Sequence, residues 1–166
     1  MADIIFDINS YDDHEKFLKG MELLYFGYRD FISWPDEELH SHGLGRAHHR
    51  VLHFVGRNAG LKVAGLLKLL NITKQSLSRV LNDLIERGYI RQDIGKNDRR
   101  QRLLYLTDHG HDLLDNITAH QKKHMLSAFE KAGDDSVEGF WKVLTALIAD
   151  ENRTEILEQI NSDIGG

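Results

Sequence analysis

The sequence has no cysteine and a single proline, Pro35, in 166 residues. Without cysteine there is no disulfide, no thiolate metal ligand, no sulfur nucleophile and no thiol redox sensor. The absence fits a reducing compartment, and a cytoplasmic location is expected. No apolar run approaches the roughly 18 residues that would suggest a membrane span. The N-terminus, MADIIFDINSYDDHE, is acidic and lacks the pattern of a secretory signal. Also missing are a G-x-S-x-G elbow, an H-E-x-x-H pair and a phosphate-binding glycine loop. His111-Asp112 matches a dipeptide of metal phosphohydrolases, but no partner motif surrounds it, so no enzyme is expected. A chain of this length buries roughly 70% of its unfolded surface, enough for a core without covalent staples.

What is present is an uneven charge. The net charge is −5. Yet residues 60–110 carry ten Lys/Arg against five Asp/Glu, while residues 1–59 carry six against ten and residues 111–166 five against eleven. A basic middle between acidic flanks points to a phosphate-binding surface that the total conceals.

Hydrophobic periodicity is mainly helical. A first helix is predicted from about Asp12 to Ile32. It carries two apolar stripes, Phe17-Met21-Leu24-Tyr28 and Leu18-Tyr25-Ile32, and ends at Trp34-Pro35 before a polar loop. A second helix spans about Leu44 to Arg57, with Leu44, Ala47, His48, Val51, Phe54 and Val55 inward. A third covers about Val63 to Leu70. After a tight turn at Asn71-Ile72, Thr73 is the N-cap of a fourth helix, because its hydroxyl can accept a first-turn amide. That helix stops at Gly88. YIRQDI and RLLYLT then read as a β-hairpin whose turn is GKNDRRQ. Thr107 caps a fifth helix to about Lys131. One last helix opens at Ser136, and Ile156, Leu157 and Ile160 prolong its apolar side. Only the terminal SDIGG reads as disordered.

The order helix, helix, short turn, helix, hairpin is a winged helix-turn-helix. The fold class expected is therefore mainly α with a small β-hairpin wing. At about 100° per residue, Leu77, Val80, Leu81 and Leu84 share the inward face of the fourth helix. Gln75, Ser78, Arg79 and Asn82 share the outward one. Arg bonds guanine O6 and N7, and Gln or Asn bonds adenine N6 and N7, so these four are the candidate base readers of double-stranded DNA. Thr73 and Lys74 lie where a helix N-terminus favours phosphate. Lys96, Arg99 and Arg100 form a basic wing tip suited to a narrow minor groove, and an Asp98–Arg100 pair would stiffen it.

The segment Asp98-Arg99-Arg100-Gln101-Arg102-Leu103-Leu104-Tyr105-Leu106-Thr107-Asp108-His109-Gly110 resembles the wing signature of the MarR family, D-x-R-x5-L-T-x-x-G. ITKQSLSRVLNDLIERGYI resembles that family's recognition helix, and Leu61 to Leu70 its preceding helix. GRAHHRVL with ITKQSLSRVL resembles a branch found in alphaproteobacteria. The likeness covers about residues 12–160. Two positions depart from it: Lys62 stands where Ser or Thr is usual, and Gly65 where an acidic residue is.

The resemblance implies a homodimeric transcriptional regulator on a pseudo-palindromic operator, typically a repressor relieved by a small aromatic or anionic effector. It assigns residues 1–36 and 107–166 to a helical dimerisation region and 37–106 to the DNA-binding lobe. The surplus apolar stripes support the dimer independently. Tyr28, Arg29, Trp34, His42 and Arg46 are candidate effector residues, combining aromatic walls with cations. Arg46, Arg50 and Arg57 also share one face of the second helix and suit phosphates or the other subunit. Some family members sense zinc, and His40, His42, His109 and His111 fall in the corresponding regions. His49/His53 and His120/His124 are further i,i+4 pairs. No three-ligand set is readable, so no metal and no cofactor is expected. A zinc-responsive regulator and an architectural or protein-binding winged helix are the alternatives.

Overall fold

The computed structural model describes residues 7–95, 98 and 100–162. After a 3-10 turn at Ile8–Ser10 come α1 (Asp13–Ser41), α2 (Arg46–Arg57), β1 (Leu61–Lys62), α3 (Val63–Leu70) and α4 (Lys74–Glu86). Then follow β2 (Ile90–Ile94), β3 (Arg102–Leu106), α5 (Asp108–Ala132), α6 (Asp134–Leu147) and α7 (Asp150–Ser162). The fold is mainly helical with one small antiparallel sheet, in the order β1-β3-β2. The hairpin register runs from Ile90 opposite Leu106 to Ile94 opposite Arg102. β1 was not predicted. Two residues are too few to show a period, and Leu61 and Lys62 become a strand only by pairing with Leu104 and Leu103.

The first helix runs nine residues past its expected end at Ile32 and encloses Pro35. Proline removes one backbone bond and costs about 3 kcal/mol in a helix interior. Here Pro35 and Leu39 are fully buried, and the tertiary contacts around them offset that cost. Asp36 grips Arg46, and Glu38 accepts from Asn116 Nδ2 at 2.8 Å. The actual stop is Gly43, at φ +66°, which any side chain would disfavour.

The expected single C-terminal helix is two. Ile148 is extended, and Arg153 donates to the carbonyls of Thr145, Ala146 and Ile148. A side chain of α7 thus caps α6, which apolar periodicity does not reveal. The residues Asp163 to Gly166 of the expected disordered tail lie outside the described residues.

One core joins α2, α3, α4, the sheet, the C-terminal part of α1 and the N-terminal part of α5. Leu39, Leu52, Leu66, Leu84, Leu104 and Ile117 are fully enclosed in it. Ala47, expected inward, is exposed, and Leu52 takes its place. His48, also expected inward, is half-buried. Away from this core the helices are bare. Phe17, Leu18, Met21, Leu24, Tyr25 and Tyr28 of α1 are exposed, and α6 buries none of its side chains. Among the described residues no helix is long and apolar enough to cross a membrane.

The wing is locked to α5 by its backbone. The Thr107 hydroxyl donates to the Gly88 carbonyl at 2.6 Å and accepts from the Gly110 amide at 3.1 Å. The Thr107 amide donates to the Tyr89 carbonyl at 3.0 Å. A Cβ on residue 110 would sit 2.1 Å from that same Tyr89 oxygen. Backbone cannot yield as a side-chain tip does, so Gly110→Ala should cost about 3 kcal/mol. Urea denaturation of the variant checks this, and an unchanged midpoint would refute the close approach.

Candidate nucleic-acid interface

α3 ends at Asn71, whose left-handed backbone (φ 47°) turns the chain. Asn tolerates that region better than most residues. Thr73 then caps α4, accepting the Ser76 amide at 3.2 Å. Its hydroxyl also lies 2.9 Å from Ser76 Oγ, so the predicted phosphate ligand is first a cap. Lys74 is exposed in the first turn.

Leu77, Leu81 and Leu84 anchor α4 in the core. Two polar bonds fix its far end. Asp83 meets His48 Nε2 of α2 at 3.0 Å, and Arg87 Nε at 2.7 Å. Arg87 also donates to the His42 carbonyl at 3.3 Å. The Arg87 guanidinium, aided by His48, holds the Asp83 carboxyl below its ordinary range. The Asp83–Arg87 spacing is visible in the sequence, whereas the part of His48 required the fold. His48 also accepts the Gly45 amide at 3.1 Å.

The opposite face carries Gln75, Ser78, Arg79 and Asn82, all exposed. Among the described residues none bonds to their side chains. Four polar groups on a rigid helix, with no partner among the described residues, are available to base edges.

At the wing, Gly95 donates to the Gln101 carbonyl at 3.1 Å. Asp98 accepts the Arg100 backbone amide at 2.9 Å. The stiffening contact is thus to the Arg100 main chain, an Asx turn, in place of the expected side-chain pair. Arg100 is exposed; Lys96 and Arg99 lie outside the described residues. Arg91 is engaged elsewhere, over the Tyr105 ring at 4.3 Å and ion-paired to Asp93.

The model of the MarR family matches residues 42–101, which span the second helix, the helix-turn-helix and most of the wing. Over 134 residues the chain is 42% identical to the HTH-type transcriptional regulator PetP of Rhodobacter capsulatus, covering 81% of each protein. The chain belongs to the MarR family. Solved structures that share its fold include the following two. FabT of Streptococcus pneumoniae, solved in complex with DNA, has a TM-score of 0.72 at 18% identity over 87% of this chain and 99% of that one. MarR itself has 0.63 at 22% identity, over 93% and 97%. Family membership places the chain among transcription regulators rather than enzymes.

The MarR wing signature now has a physical reading. Leu106 is buried, Thr107 caps α5, and Gly110 allows the close approach to Tyr89. The departure at Lys62 leaves the α3 N-cap without a side-chain bond.

The five candidate effector residues have different neighbours. Arg29 pairs with Asp30, and Trp34 stacks on His120 at 4.0 Å. His42 Nδ1 lies 3.1 Å from the Tyr89 hydroxyl. Arg46 donates to Asp36 from Nη2 to Oδ2 at 2.6 Å and from Nε to Oδ2 and Oδ1 at 2.8 and 3.1 Å. Tyr28 lines an apolar groove with Phe31, His124 and Phe140. Among the described residues no three His, Asp or Glu side chains gather as a metal site would require. His49 Nε2 is enclosed with no hydrogen-bond partner among the described residues, and burial pushes that imidazole below its ordinary pKa.

A depressed carboxyl contributes stability above its unfolded pKa and loses it as pH falls through the folded one. Asp83→Asn should therefore melt below wild type at pH 7, with the gap closing as pH falls below the ordinary carboxyl value of 3.8. Melting curves from pH 7 down through the carboxyl range check this. A gap of constant size would show that Asp83 acts through packing alone.

Proposed function

We propose that the chain is a sequence-specific DNA-binding transcriptional regulator that acts as a homodimer on a pseudo-palindromic operator. The observation that carries this reading is the face of α4. Gln75, Ser78, Arg79 and Asn82 are exposed together on a helix pinned by three buried leucines and by Asp83. Lys74 at the helix start and Lys96, Arg99 and Arg100 of the wing are its phosphate and minor-groove partners. The DNA in the FabT complex supports the reading by likeness of fold.

Residues 37–106 form the DNA-binding lobe, and 1–36 with 107–166 the dimerisation region. The bare apolar faces of α1 and α6 support this division, since a monomer rarely leaves such a patch uncovered. A twofold dimer sets two recognition helices about one DNA turn apart. A small aromatic or anionic effector shifts the spacing of the lobes, which requires it to prefer one spacing. At Tyr28, Arg29, Trp34, His42 and Arg46 an effector acid would exchange with Asp36 for the Arg46 guanidinium. The regulator acts in the cytoplasm.

Selection of bound fragments from a fragmented genome, at two salt concentrations, tests the reading. One pseudo-palindrome that survives higher salt is expected; sequence-blind binding lost with salt would make the protein architectural. On the selected operator, Arg79→Ala should cost about 1–3 kcal/mol and relax choice at one base position. Arg100→Ala should weaken all sequences alike and flatten the salt dependence. Equal losses for Arg79→Ala on every sequence would make that residue a phosphate contact.

Leu24→Asp buries a charge in the proposed dimer face. Sedimentation velocity should then show a monomer, with operator affinity lost. A dimer that persists would move the interface elsewhere.

A further inference from the structure

The end of α4 is tied to the corner between α1 and α2 by a closed circuit of four hydrogen bonds. The circuit starts at Gly45, whose amide donates to His48 Nδ1 at 3.1 Å. The other nitrogen of that ring, Nε2, lies 3.0 Å from Asp83 Oδ2. Asp83 Oδ1 accepts from Arg87 Nε at 2.7 Å. Arg87 Nη1 then donates to the His42 carbonyl at 3.3 Å, back on the loop where the circuit began. Gly43 makes room for this return. A Cβ there would meet Arg87 Nη1 at 3.0 Å, on a backbone already at φ +66°.

The ring of His48 has only one way to join this circuit. A backbone amide donates and never accepts, so Nδ1 must offer a lone pair to Gly45. The single ring proton is then on Nε2 and points at Asp83. The opposite tautomer would set N–H against N–H at Gly45 and a lone pair against the carboxylate. An exposed pair such as Asp83–Arg87 contributes little stability by itself. A closed and satisfied network does something else: it specifies one arrangement of the elements it joins.

Those elements are the long helices and the recognition helix. His42 is the C-cap of α1. Its Nε2 lies 3.6 Å from Glu38 Oε1, the atom that accepts from Asn116 of α5. The corner is therefore referenced to α1 and α5, and through His48 and Arg87 it holds Asp83. Asp83 follows Asn82 directly and stands about 6 Å along the helix from Arg79, so a tilt of α4 at this point re-aims both. We propose that His48, as its Nε2–H tautomer, is a positioning residue for operator recognition: it fixes the angle of α4 to α1, and with it the separation of the two recognition helices in the dimer. The inference rests on the dimeric DNA-binding reading above and adds to it a residue that acts through Asp83 rather than on DNA.

The variants His48→Asn and His48→Gln separate the two bonds of the ring. Asn keeps an acceptor for Gly45 but is too short to reach Asp83. Gln carries an amide N–H to the place of Nε2 and restores that link. Each protein is measured on the selected operator and on versions with one base pair inserted or removed between the half-sites, which turns one half-site by about a tenth of a helical turn. His48→Asn should lower the preference for the native spacing about tenfold, while His48→Gln stays within about twofold of wild type. Urea denaturation is run in parallel. A His48→Asn protein that loses stability but keeps its spacing preference would overturn the positioning role, and so would a Gln variant as relaxed as the Asn one. Nitrogen-15 spectra of the full-length protein without DNA, at neutral pH, should show His48 protonated at Nε2 and bare at Nδ1; the other tautomer would break the circuit. Wild-type binding with no preferred spacing would instead refute the dimeric reading, and this inference with it, whereas the spectra judge the circuit whatever the DNA result.

Discussion

The approach of Gly110 to the Tyr89 carbonyl sets the geometry on which the DNA-binding lobe depends. Three backbone segments meet there: the end of the recognition helix, the end of β3 and the first turn of α5. Thr107 joins them with one hydroxyl, donating to Gly88 and capping Gly110. The wing is therefore tied both to the helix before it and to the long helix after it. A change in the direction of α5 must be felt at the wing and at the end of α4. This gives a physical route by which events in the helical region can reach a DNA-facing surface.

A second constraint is the mismatch between the two parts of the chain. The winged lobe closes a core of its own, whereas α6 and much of α1 leave large apolar side chains uncovered. Hydrophobic burial is the dominant favourable term in folding, so the uncovered faces bias the chain toward association. The same division appears in the charge, with the basic surplus confined to residues 60–110. Apolar faces and acidic flanks thus belong to the helical region, and the cations belong to the lobe that would meet phosphate.

The recognition helix illustrates how packing and polarity share one element. Its leucines fix depth and rotation, and the Asp83 bonds to His48 and Arg87 fix its far end. Side chains used for base reading must be held within tight tolerances. The leucines lie on the side of α4 away from Gln75, Ser78, Arg79 and Asn82, and Asp83 sits one turn beyond Arg79. The proposed reading face can therefore vary in sequence without loosening the leucine anchors of the helix.

The sequence by itself determined the winged helix-turn-helix order, the Thr73 and Thr107 caps, the inward leucines of α4 and the polar residues opposite them. Each depends on local spacing, a period of 3.6 or 2 or a cap three residues from its amide, and such spacing is legible in one dimension. Tertiary structure decided the rest. Pro35 reads as a terminator, and only the burial of Leu39 with the Asp36–Arg46 grip carries the helix through it. β1 exists because β3 lies beside it. α6 ends because Arg153, from the next helix, reaches its carbonyls. The partners of the effector candidates were also settled by the fold, Arg46 meeting Asp36 and Trp34 stacking on His120. In each case the deciding contact joins residues whose separation in sequence carries no periodic signal, and the energy that selects it arises only when the chain has folded.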